Sequence, residues 1–393
     1  MKSKCLVMGL VIFFVFGVGL GLCSGQSVKM PSGGISPVSV SLEKSAAHSL
    51  QTATEFLVGS QEEDGSWSKD PAITALVVYS LLLSPGYDPD GKAETSIAKG
   101  LDYLTQFVQP DGGIYRKEYR NYVTAVCLMA LTRTQDKKYA KAITGAKDFL
   151  IQFQLDEGEG IQQSNPYYGG IGYGGDTRPD MSNTQLALEA IRAAEGFEKQ
   201  FSGVLLAQAG NIESDEQELG LHWKKALMFV NRCQNLQSVN DMPYAGKDGG
   251  FIYETGTYKQ DRSHSYGSMT YAGVKSLLYA NVDKNDERVQ KAVEWIQNNY
   301  TLDFNPGFGT YSIFYYYMTF SKCMAALGED TLTDALGQEH HWREDLVSKL
   351  VSIQKPEGYW QNPSNRYWEN VKPLATAYSV IAMKFALDSD QGF

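Results

Sequence analysis

Two stretches of this 393-residue chain concentrate side chains able to move protons or grip a ligand. One carries Tyr167, Tyr168, Tyr173, Asp176, Arg178 and Asp180; the other carries Glu254, Tyr258, Asp261, Arg262, His264 and Tyr266. Asp176, Asp180 and Asp261 supply carboxyls. His264 supplies an imidazole, so the four form a candidate acid–base set. Each has a structural alternative. Asp180, just before "MSNTQ", stands where a helix N-cap would. Asp176 and Arg178 are spaced to pair within one loop, and His264 reads equally well as a structural histidine. Candidate substrate-binding residues are Arg120, Tyr173, Arg178, Tyr266, Tyr311, Phe314 and Tyr315. The last three belong to "YSIFYYYMTF" (311–320), whose rings are expected to face a central lumen, with core packing as the alternative. "GGIGYGG" (169–175) lacks the lysine and the preceding strand of a phosphate-cradling loop. No Cys-x-x-Cys pair exists, so no structural zinc site is expected; no other metal ligand set and no cofactor is assigned.

These residues fall in the loops of a repeat. Six segments read as a helix ending near a glutamine: Gln61, Gln109, Gln154, Gln234, Gln297 and Gln354. A glycine-containing loop follows each, then a second apolar helix with a threonine in its first turns: Thr74, Thr124, Thr184, Thr270, Thr319 and Thr376. First helices are amphipathic, as in "RVQKAVEWIQNNY" (288–300). Second helices, such as "ITALVVYSLLL", are apolar nearly all round and must be covered on most sides. Six such pairs close economically into an all-α (α/α)6 toroid spanning 45–388, second helices inside and first helices outside. The longest loops, Gln154 to Thr184 and Gln234 to Thr270, share one end with every inner-helix N-terminus. A functional site is expected there, and the aligned helix dipoles suggest an anion. An insertion at about 196–221 joins an inner to an outer helix and belongs at the opposite end.

The first 25 residues read as an export signal. Lys2 and Lys4 precede an apolar run from Cys5 to Leu22, and small residues end at Gly25. Residues 26–44 read as a linker. The expected location is periplasmic or extracellular, with membrane contact only through an uncleaved leader. Cys127, Cys233 and Cys323 are scattered and read as small buried side chains, not disulfides. A net charge of −10 argues against nucleic-acid partners.

"QEEDGSW" (61–67) and "QKPEGYW" (354–360), with "QPDGGIY" (109–115) as a looser copy, place a glutamine, an acidic or glycine turn and an aromatic ring at each reversal. The pattern resembles the glutamine–tryptophan repeat of terpenoid cyclases, shared loosely by protein prenyltransferases (the prenyltransferase and squalene oxidase repeat). It covers most of the chain. The resemblance implies a helical toroid and an isoprenoid, squalene-like ligand in an aromatic cavity. The chain departs from that family in lacking the Asp-x-Asp-Asp acid motif, the Asp-x-Cys zinc motif and a second barrel. Two other readings stand beside it. One is a toroidal carbohydrate-active lyase or hydrolase taking an oligosaccharide. The other is a non-catalytic module that holds a ligand or partner at the mouth.

Overall fold

The computed structural model describes residues 38–88, 90–174, 178–209, 220–256 and 264–388, with the backbone alone for 202–209 and residue 221. The export signal, Asp176 and Asp261 therefore lie outside the described residues, as do 26–37 of the linker.

Among the described residues the fold is six helix pairs. The outer helices are α1 (Val40–Gly59), α3 (Lys92–Thr105), α5 (Ala140–Gln152), α7 (Leu221–Cys233), α9 (Glu287–Asn298) and α11 (Trp342–Ile353). The inner helices are α2 (Pro71–Leu83), α4 (Arg120–Arg133), α6 (Met181–Ala209), α8 (Gly267–Tyr279), α10 (Ile313–Leu327) and α12 (Lys372–Leu387). Each inner helix packs on the next, and α12 packs on α2, so the ring closes; α1 packs on α11 outside it. This is the all-α toroid expected from the alternation of amphipathic and fully apolar helices. The one strand pair, β1 (Leu332–Thr333) with β2 (Glu339–His340), is a short hairpin before α11. α1 begins at Val40, inside the stretch read as linker. The 196–221 insertion starts as a continuation of α6 to Ala209, and 210–219 lie outside the described residues. Among the described residues no helix is long and apolar enough to cross a membrane.

The repeated glutamine, glycine and threonine have one job each. The threonine hydroxyl accepts a loop N–H: from Trp67 at Thr74, Ile114 at Thr124, Ile171 at Thr184, Phe251 at Thr270 and Trp360 at Thr376. This holds the loop over the start of its inner helix. The glutamine amide donates across the loop and onto the following outer helix: Gln61 to Ser96 O, Gln154 to His222 O and Gln234 to Arg288 O. Gln354 closes the circle by donating to Ser49 O on α1. Gly65, Gly112, Gly169, Gly249 and Gly358 all sit at φ between +80° and +90°, with the next outer helix's backbone pressed against the missing Cβ. Only glycine satisfies both demands. Trp67 and Trp360 each donate their indole N–H to the last turn of the preceding outer helix, at Leu57 O and Leu350 O. Repeat five departs from the scheme: the Thr319 hydroxyl donates to Tyr315 O of its own helix, and Asn305 instead ties the loop to α8.

Candidate functional site

The N-terminal ends of the inner helices surround a cavity of about 630 Å³. Five of them bring wall residues from their first two turns: Ile73 on α2, Tyr122 and Val123 on α4, Met269 on α8, Tyr315 on α10, and Leu374 and Tyr378 on α12. α6 brings Ser182. The size suits one ligand, and rings with a few polar groups are the usual composition of such a pocket.

The sequence candidates separate into two groups. Tyr173, His264, Tyr266 and Tyr315 line the cavity. Tyr173 stands edge-on to Tyr119 with centroids 5.3 Å apart, and Tyr266 stacks on Phe308 at 4.9 Å. His264 is exposed and its Nε2 lies 3.1 Å from Gly307 O. Arg120 instead lies over the rings of Tyr115 and Phe153, outside the cavity wall. Arg178 is exposed beside the bridge between Gly172 and Pro179. Tyr311 is exposed beneath the Arg366 guanidinium. Phe314 is buried edge-on against Tyr317. The aromatic run 311–320 thus does not turn its rings to the lumen as a set. Tyr316 and Tyr317 donate to Thr301 O and Leu302 O in the preceding loop, so they clamp α10 to its surroundings. One ring of the run, Tyr315, reaches the cavity, because helical phase turns its neighbours into the inter-helix core.

Asp180 is the N-cap of α6. Its carboxylate accepts the Asn183 N–H at 2.8 Å and the Asn183 side-chain amide at 2.7 Å. The same arrangement recurs around the mouth. Asp70 caps α2 through the N–H groups of Ala72 and Ile73. Glu369 reaches from the sixth loop to accept the Tyr315 N–H of α10 at 2.8 Å, and the Asn362 amide at 3.0 Å. The side-chain oxygen of Asn305 serves Ser268 on α8. The dipoles expected to attract an anion are therefore met at four of six helix starts by the chain's own acceptors, three of them carboxylates.

Glu369 is the residue that sequence reasoning missed. It is buried at the cavity wall, and the neighbouring Arg366, Tyr367 and Trp368 also belong to the wall. Burial pushes both Asp180 and Glu369 up to about 7 against the N–H donors that favour their charged forms. The folded chain therefore holds protons that the unfolded chain releases between about pH 4 and pH 7, and stability falls as pH rises through that window. Glu369→Gln removes the Glu369 share of this dependence and leaves that of Asp180. Relative to the parent chain, the variant is expected to gain about 2 kcal/mol between pH 5 and pH 8 in urea unfolding. An unchanged difference at the two pH values would show that Glu369 stays ionised throughout.

Below the cavity, Glu189 of α6 lies between Lys275 of α8 and Lys322 of α10, each contact 2.5 Å long and all three side chains buried. The three charged groups sit two to three turns below the helix starts and fill the space between these inner helices. Among the described residues no group of three or more His, Cys, Asp or Glu is placed to hold a metal ion. Cys127, Cys233 and Cys323 are free and buried.

The toroid and its cavity can be set beside known proteins. No family model and no curated protein matches the chain. Solved structures do. A variant of the type II terpene cyclase MstE from Scytonema, bound to its substrate geranylgeranyl dihydroxybenzoate, superposes with a TM-score of 0.51 at 12% identity, covering 89% of this chain and 99% of that one. A second substrate complex gives 0.50 at 11%, covering 88% and 99%. A complex with the product merosterolic acid A gives 0.50 at 11%, covering 90% and 99%. The fold is terpenoid-cyclase-like. At this identity the likeness extends to the path of the backbone. In the terpenoid-cyclase-like toroid described here, the cavity lies where all six inner helices begin, and its walls are this chain's own.

Proposed function

We propose that the mouth cavity binds an isoprenoid chain. The observation that carries this reading is the cavity itself: about 630 Å³, walled by tyrosine and phenylalanine rings with Ile73, Val123, Met269 and Leu374 between them. Burying an apolar chain against such a wall is favoured by about 25 cal/mol per Å² removed from water. Solved structures with this fold include complexes of a type II terpene cyclase with a geranylgeranyl substrate and with its product. Ring faces and the Asp70 and Glu369 side chains on the same wall suit a developing positive charge. Gln61–Trp67 and Gln354–Trp360 are assigned in this reading to the glutamine–tryptophan repeat. The export expected from the leader places the encounter with the ligand outside the cytoplasm.

Titration of the full chain with geranylgeraniol, followed by tyrosine and tryptophan fluorescence, is expected to saturate at one molecule per chain. Leu374→Trp fills the cavity and is expected to weaken binding at least about tenfold with the melting temperature nearly kept. Mass spectrometry of the incubated ligand reads turnover in the same sample. Failure of the parent chain to saturate, or equal binding by Leu374→Trp, would overturn the proposal.

A further inference from the structure

The cavity is not uniformly apolar. Tyr122 on α4, Ser182 on α6, Tyr315 on α10 and Tyr378 on α12 all line it, and their hydroxyls are linked in two groups. The Tyr315 hydroxyl lies 2.9 Å from Ser182 Oγ and accepts the Gln185 amide N–H at 3.1 Å. The hydroxyls of Tyr122 and Tyr378 face each other at 3.4 Å, at the outer limit of a hydrogen bond. The Tyr315 and Tyr378 rings meet edge to face at 6.0 Å, which joins the two groups into one patch. Behind Tyr315, Gln185 is fully buried, and its amide oxygen has no partner among the described residues.

A wall selected for hydrocarbon alone would be built of Phe, Leu and Ala. Covering this patch with an apolar chain would strip water from four hydroxyls and leave the loosely paired ones poorly satisfied. The more exposed aromatic groups stand elsewhere on the wall, at Tyr119, Tyr173, Tyr367 and Trp368. The cavity therefore has a buried hydroxyl-bearing face and an open aromatic rim.

Resting on the isoprenoid reading above, we infer that the ligand is an oxygen-bearing isoprenoid, an alcohol or a phenol, bound with its oxygen against the Tyr315–Ser182–Gln185 group and its chain toward the aromatic rim. Tyr315 is the specificity-determining residue of this arrangement. Its hydroxyl both donates and accepts, and it is held by partners from α6, so it presents a fixed polar point on the buried face of the wall. A site of this kind discriminates against the analogue lacking the polar group, because the bonding capacity these hydroxyls keep beyond their mutual contacts is then covered with nothing in return.

The test compares geranylgeraniol with the corresponding C20 hydrocarbon, both delivered to the full chain in mixed micelles. The parent chain is expected to prefer the alcohol by at least about tenfold. Tyr315→Phe is expected to abolish that preference by weakening the alcohol alone, with hydrocarbon affinity unchanged. Ser182→Ala, which removes one arm of the group and leaves Tyr315 in place, is expected to reduce the preference partially. Equal binding of both ligands by the parent chain overturns this inference and leaves the isoprenoid reading standing, as does a preference that survives in Tyr315→Phe. Binding of neither ligand overturns both.

Discussion

Glu189→Gln is expected to destabilise the fold by about 3–5 kcal/mol, a large share of the roughly 5–15 kcal/mol that holds a typical chain folded. The carboxylate lies 2.5 Å from Lys275 and 2.5 Å from Lys322, and all three side chains are buried. Burial by itself would raise the Glu189 pKa, but the two ammonium groups outweigh it and hold it down at about 2. The remaining positive charge rests against ring faces: Lys322 lies 4.9 Å from the Tyr79 ring and 5.3 Å from Phe385, and Lys275 lies 5.7 Å from Tyr279. Removing the carboxylate leaves two ammonium groups facing each other in a low-dielectric interior, where the repulsion is unscreened. Urea unfolding at pH 7 reads the loss. The triple variant Glu189→Leu, Lys275→Met, Lys322→Met is expected to recover most of it, because an apolar cluster of similar volume avoids the desolvation cost. A loss below about 1 kcal/mol in Glu189→Gln would mean that one lysine is already neutral in the folded chain.

Gly169→Ala is the second substitution with a large expected effect. Gly169 sits at φ +85°, and an added Cβ would lie 1.8 Å from the carbonyl oxygen of Lys225 on α7. That contact is to backbone, so no side-chain rotation relieves it. The left-handed conformation costs a non-glycine residue about 1–2 kcal/mol and the overlap about 1–3 more, for a total of about 2–5 kcal/mol. Gly160→Ala is the control. Its φ is +75° with nothing within 4 Å of the added atom, so only the conformational cost of about 1 kcal/mol applies. Equal losses in the two variants would show that α7 yields freely, and that the glycine is needed for its backbone angle alone. The same close approach recurs at Gly65, Gly112, Gly249 and Gly358, so the contact belongs to the ring's construction and not to one loop.

Much of that construction is readable from residue order. Glutamine, glycine and threonine recur because each reversal needs an amide donor, a positive φ and a hydroxyl acceptor, all within one stretch of chain. The contrast between α9, charged on one face, and α12, apolar throughout, separates outer from inner helices without reference to any partner. Asp180 is legible as a cap for the same reason, since its acceptor duty is to a residue three positions on. The mouth as the site also follows from order, because every loop leading into an inner helix must share one end.

What the residue order could not assign is how side chains from different repeats meet. Glu369 caps α10 across 54 positions of sequence, and nothing in "RYWENVKP" announces that Tyr315 is its donor. Which of four consecutive aromatics faces the cavity depends on the rotation of α10 about its axis, and that rotation is fixed by packing on α8 and α12. The Glu189 cluster joins residues 86 and 133 positions apart. Local sequence made the repeat, its turns and the ring legible, because the glutamine, glycine and threonine signals and the helical periodicity recur in each helical pair. Tertiary structure alone decided that Glu369 meets the start of α10 and which hydroxyls face the cavity. Both depend on the angular setting of six helices around a common axis, which no single repeat encodes.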